Sequence, residues 1–141
     1  MSLPVATVHT RPSLTAGQRI ASAAGLYGAL VLLALPFSIA VRAARTARLV
    51  GRRPLTARDG QQLVEAVKWA GRRMPHRLAC QETSLAAMLA AALCGRRLTW
   101  CVGVRFTPPP IEFHAWVALD NGDPVGEDTT AGWHHRPAVQ I

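Results

Sequence analysis

The sequence predicts an α+β fold: a helical N-terminal part, then a cysteine-bearing helix packed on a small antiparallel sheet. Three observations carry this. Apolar residues recur at helical spacing through the front of the chain, as in Leu63, Val67 and Ala70. From Leu98 the period changes to strand-like alternation, in Leu98-Thr-Trp-Cys-Val-Gly-Val-Arg-Phe106. Asn121-Gly122 then stands between two apolar runs, which is the strongest short hairpin signal. With 141 residues, half of them hydrophobic, the chain can bury one core. Only one Tyr and three Phe are present, so Ala, Leu and Val must supply most of that core.

Taken in order, residues 1–14 read as a flexible tail with Pro4 and Pro12. Residues 15–73 are expected as a basic helical region and 74–141 as the core that follows it. Ser13 or Thr15 can cap a helix that begins near Ala16. From Ile20 to Val41 there is no charge, and Leu26–Leu35 is almost wholly apolar. The dense part is nearer the length of a buried helix than of a membrane span, and Pro36 must end or kink it. A buried or partner-binding helix is therefore expected, with membrane association through 20–41 as the alternative. The apolar run starts too late for a cleaved signal peptide.

A second helix is expected over 37–50, with Phe37, Ile39, Ala40, Val41 and Ala44 inward and its arginines in water. Thr56 caps a third helix, about 57–72, with Glu65, Lys68 and Arg72 outside and Gly71 and Pro75 as stops. The fourth, 79–94, ends at Gly95 as a C-cap. Strands follow over Leu98–Phe106, Ile111–Leu119 and Pro124–Asp128, with Asp120–Asp123 as the hairpin turn.

Composition bounds the function. Net charge is +8, carried by the front: residues 1–79 hold twelve Arg and Lys against Asp59 and Glu65, whereas 80–141 hold four against six acids. A basic front suits a lipid surface or an acidic protein partner. Nucleic acid is not expected, because the arginines are not interleaved with aromatics and no groove-reading motif occurs. Three cysteines, Cys80, Cys94 and Cys101, make neither a disulfide framework nor a Cys-x-x-Cys pair. Such a sparse, odd set fits a reducing, cytoplasmic compartment. No His-x-x-x-His spacing suggests a metal, and no cofactor is expected.

Cys80 differs from the other two thiols by position. It opens the apolar helix, where free N–H groups and the helix dipole favour the thiolate, and Gln81-Glu82-Thr83-Ser84 keeps its surroundings polar. Cys94 at a helix end and Cys101 within a strand read as packing. His114 shares a strand face with Trp116, while Ala115 faces the other way. His9, His76, His134 and His135 lack such a setting, and the last two are expected in a solvated tail. A thiol followed along the chain by an imidazole, on a helix and then a strand, is the order a thiol enzyme needs.

Cys80 opening a Leu/Ala helix, Val102-Gly103-Val104 on a strand, and His114-Ala-Trp-Val117 before an Asn-Gly hairpin resemble the lasso-peptide leader peptidases. These are the B2 proteins of the transglutaminase-like cysteine protease group. The resemblance covers roughly residues 74–128, and the basic front with Pro36-Phe37 is similar to the family's start. Gln81-Glu82-Thr83 departs from it, since the family carries Leu and then a basic residue soon after the cysteine. The resemblance implies a transglutaminase/papain-like core and hydrolysis of a ribosomal precursor peptide at its leader–core junction. It further implies a separate leader-recognition protein of B1 or E type and an ATP-using lasso cyclase. The basic or apolar front is the expected docking face for such a protein.

In that reading His114 draws the proton from Cys80, the thiolate attacks, and water releases the acyl-enzyme. The oxyanion is held by the Cys80 backbone N–H and a second donor, Gln81 or a residue near Arg77. For the acid that orients His114 the choice lies between Glu127 and Asp128. A two-residue Asn121-Gly122 loop pairs Asp120 with Asp123 and Trp116 with Glu127, which places Glu127 diagonally beside the imidazole. The family's acidic residue also falls there by alignment of the hairpin glycine. An odd loop flips the face and selects Asp128 instead. Two other functions stand beside the peptidase: a transglutaminase-like acyltransferase with an amine acceptor, and a non-catalytic membrane-associated scaffold.

Overall fold

Residues 16–72, 80–107, 112–126 and 134–141 are described by the computed structural model. The fold is α+β, with four helices and a four-stranded antiparallel sheet among the described residues. Helix α1 spans Ala16–Leu33 and α2 spans Phe37–Val50, with Pro36 at the α2 N-cap, where its fixed φ is tolerated. Helix α3, Ala57–Gly71, starts as expected at Thr56, whose side chain accepts the Asp59 N–H at 3.2 Å. Helix α4, Cys80–Leu93, closes at Gly95 with φ +70°.

The sheet contains β3 (Thr99–Thr107), β4 (Glu112–Ala118), β5 (Pro124–Val125) and β6 (His134–Gln140), in the order β5-β4-β3-β6. Two short strands, β1 (Arg53–Pro54) and β2 (Arg96–Arg97), pair in parallel and tie the end of α2 to the end of α4. All four helices and the sheet share one core, in which Leu26, Leu85, Met88, Val67 and Trp100 are almost fully buried.

Helix α4 is central because three other helices pack on it, and α1 lies closest. Gly25 sets that approach: a Cβ there would stand 2.6 Å from the Ala86 carbonyl oxygen and 3.1 Å from the Ala90 Cβ. Glycine and alanine let two helices meet backbone to backbone. Gly25→Ala should force the pair apart, at about 1–3 kcal/mol of overpacking. A thermal melt should record a fall of roughly 5–10 °C.

Two expectations need correction. Helix α2 buries Ala40, Ala44 and Ala47, whereas Phe37 and Ile39 remain 47% and 39% exposed. Small residues form the contact stripe, so the helix sits close and its large neighbours stay at the margin. Phe37 still reaches the Trp100 ring, 6.0 Å between centroids. The expected tail is instead a strand, since His134 and His135 belong to β6, which pairs along β3. Pro137 hid that strand from its sequence. It is accommodated where the register shifts beside Gly103, a place where a missing N–H does little harm.

Helix α1 is long and apolar enough to cross a membrane, with 18 residues and a mean hydropathy of 1.2. Core helices of soluble proteins and signal sequences meet the same criterion. It buries Ala21, Gly25, Leu26 and Ala29 and leaves Ile20, Tyr27 and Val31 outside.

Candidate active site

Among the described residues, β5 pairs with β4 at Val117 and Ala118. The Cys80 thiol lies in hydrogen-bonding contact with the His114 side chain, and the backbone N–H groups of Ala115 and Gln81 are also directed at it. His114 is the largest influence on the thiol. Together with the two amides it holds Cys80 below its ordinary value of 9.0, against the opposing effect of burial. Cys80 and His114, 34 positions apart in the chain, are therefore brought together.

His114 and Trp116 share a face of β4, as the alternation requires. Their rings stack with centroids 6.0 Å apart and planes inclined by 15°. Such stacking fixes the imidazole plane. The cleft around the pair has a volume of about 290 Å³ and is walled by Val64, Val117 and Val125, with Thr83, Ser84 and Lys68 as further polar lining. A larger apolar groove, about 750 Å³, runs between α1, α2 and the end of α4. Among the described residues, no Cys, His, Asp or Glu lines that groove.

The remaining thiols are set apart. Cys101 is buried, and desolvation pushes it up to about 11. Cys94 is exposed just beyond α4. Gln81 has an exposed side chain and meets the thiol through its backbone N–H. Arg77, Glu127, Asp128, His9 and His76 lie outside the described residues. Among the described residues no group of three or more His, Cys, Asp or Glu side chains converges as a metal site.

The hairpin register corrects the expected one. Val117 pairs with Val125 and Ala118 with Pro124, and Leu119 N–H donates to the Asp123 carbonyl at 3.0 Å. The connection thus has three residues, Asp120, Asn121 and Gly122, and Gly122 takes φ +91°. A three-residue loop ending in a left-handed glycine is the next commonest hairpin after the two-residue type. Asp120 is drawn to Arg97 by hydrogen bonds of 3.1 Å to each carboxylate oxygen, with Arg48 at 4.0 Å. Asn121 Oδ1 accepts the Asp123 N–H at 3.0 Å. These side chains hold the turn, and the arginine on β2 is what a reading of the hairpin alone could not include.

Contacts from α3 escaped the sequence reading altogether. Gln61 Oε1 accepts the Gly126 N–H at 3.0 Å, and Lys68 Nζ donates to the Gly126 carbonyl at 3.5 Å. Gly126 has φ +72°, and an added Cβ would collide with Val64. Lys68, expected only on a wet face, therefore also stands at the mouth of the cleft. No local pattern marks a contact between residues this far apart in sequence.

The thiol's environment has a measurable consequence. Alkylation by iodoacetamide follows the thiolate fraction, so its rate at Cys80 should rise through a midpoint below that of an ordinary thiol. Removing the dominant influence in His114→Ala should move the midpoint upward. Peptide mass spectrometry across a pH series separates Cys80 from Cys94, and Cys101 should stay unmodified near neutrality.

The family model described as Transglutaminase-like superfamily matches residues 23–137. No curated protein and no solved structure matches the chain.

Proposed function

The chain belongs to the transglutaminase-like superfamily, and on that premise we propose that it is a cysteine peptidase that removes the leader from a ribosomally made lasso precursor peptide. A domain of this superfamily is compatible with thiol peptidase or acyltransferase chemistry. The observation that carries the reading is the Cys80 thiol at the start of α4, in contact with His114 and held below its ordinary value. The His114-Ala-Trp-Val117 motif and its resemblance to the leader peptidases support the finer substrate.

His114 holds the proton taken from Cys80, and the thiolate attacks the scissile carbonyl carbon. The C–N bond breaks as His114 returns the proton to the leaving amine. Water, deprotonated by His114, then hydrolyses the thioester. The Cys80 backbone N–H has no acceptor within its own helix, being in the first turn, and is proposed as one oxyanion donor. Gln81 is proposed as the second.

A separate recognition protein of B1 or E type would hold the leader, and a lasso cyclase would take the freed core. The acid beside His114 is proposed to be Asp128 rather than Glu127, because the hairpin loop has an odd count of residues. Turnover of Asp128→Asn should then fall at least tenfold while Glu127→Gln stays near the unaltered chain, as expected when an orienting acid is lost. Loss in Glu127→Gln alone would restore the other acid, and loss in neither would leave a dyad.

The whole reading is tested by mixing the purified chain, the recognition protein and a precursor peptide, then weighing the products. Two fragments whose masses sum to precursor plus one water support hydrolysis. A product carrying an added amine would make the chain an acyltransferase. Equal processing by Cys80→Ala would leave only a scaffold role.

A further inference from the structure

Ser84 closes the polar run that opens α4, and its hydroxyl is buried, 5% exposed, where helix formation gains nothing from it. Its partners explain it. Trp100, fully buried on the helix-facing side of β3, donates its indole N–H to Ser84 Oγ at 3.0 Å. Ser84 Oγ in turn lies 3.2 Å from the Gln81 carbonyl. An indole can only donate and a carbonyl can only accept, so the hydroxyl hydrogen must point to Gln81. The direction of the whole chain of bonds is therefore fixed.

This chain ends beside the nucleophile. Cys80 and Gln81 lie in the first turn of α4, where the amides lack intrahelical partners and the backbone is least constrained. The Gln81 carbonyl is one side of a Cα whose other side carries the N–H directed at the Cys80 thiol. Anchoring the carbonyl to β3 restricts the rotation that would turn that N–H away. The same sheet carries His114 on β4, paired with Gly103 of β3. Nucleophile and base are thus referred to one rigid frame, the thiol through Ser84 and Trp100, the imidazole through its strand.

We infer that Ser84 and Trp100 are positioning residues, which hold the first turn of α4 so that the Cys80 thiol keeps its alignment with His114 and the Gln81 N–H. The inference rests on Cys80 as nucleophile, and its test reads the thiol directly, so no substrate need be known. The pH profile of Cys80 alkylation by iodoacetamide is measured in the full chain, in Ser84→Ala, in Ser84→Thr and in Trp100→Phe. Ser84→Ala and Trp100→Phe should raise the midpoint by about 0.5–1 pH unit, the size of one weakened hydrogen bond to a thiolate. Ser84→Thr keeps the hydroxyl and should stay near the unaltered profile. With a cleavable precursor, Ser84→Ala should lower kcat roughly tenfold at nearly constant KM, as for an alignment defect. An unmoved Cys80 midpoint in folded Ser84→Ala, whatever its melting temperature, would overturn the inference and leave Ser84 a packing residue. A Cys80 midpoint indifferent to His114→Ala would instead overturn the nucleophile assignment, and this inference with it.

Discussion

Cys80→Ala should abolish precursor cleavage, and His114→Ala should lower kcat/KM by about three to six orders of magnitude, as in other nucleophile–base pairs. No other thiol can substitute. Cys101 is buried, and its thiol, pushed up to about 11, stays protonated at neutral pH. Cys94 is exposed, beyond the opposite end of α4 from Cys80. Cys94→Ala and Cys101→Ala should accordingly keep most of the activity. The losses from Cys80→Ala and His114→Ala should not add, because either change alone removes the thiolate–imidazole pair proposed to do the chemistry. A double variant no slower than Cys80→Ala in a steady-state assay would confirm this. Selective loss in Cys101→Ala would mean that the nucleophile had been wrongly chosen.

Trp100→Ala should be the most damaging core substitution. The side chain is fully buried, reaches Phe37 on α2 and donates to Ser84 on α4. Its removal leaves a cavity between sheet and helices, which costs about 3–5 kcal/mol for a large aromatic. Native domains have only about 5–15 kcal/mol in total. The melting temperature should drop by ~10–20 °C, and the urea midpoint should fall with little change in slope. Trp100→Phe keeps most of the volume and should lose far less stability. A Trp100→Ala chain that melts within about 3 °C of the unaltered one would mean that the site collapses around the gap, the circumstance in which large-to-small changes are mild.

The elements that repeat a local signal were legible. Thr56 as a cap, Pro36 as a break, Gly95 as a terminator and the alternation of β3 and β4 fix boundaries through interactions within a few residues, so the sequence carries them. Cys80 and His114 were legible for a related reason: a thiol opening a helix and an imidazole on a strand keep their local chemistry wherever the elements pack. Face-sharing of His114 and Trp116 followed from the two-residue period alone.

What the chain alone determined, then, is the four helices, the strands β3, β4 and β5, and the order along it of the thiol and the imidazole that the fold brings together. Only the tertiary structure decided the three-residue hairpin, because loop register depends on which pairing best seats Val125 and Gly126 against α3. It also decided that β6 completes the sheet despite Pro137, since pairing along β3 outweighs a weak local preference. The Trp100–Ser84–Gln81 connection and the grip of Gln61 and Lys68 on Gly126 belong to it as well. Each depends on groups that only the packing of separate elements brings together, and no periodicity in the sequence encodes a partner on another element.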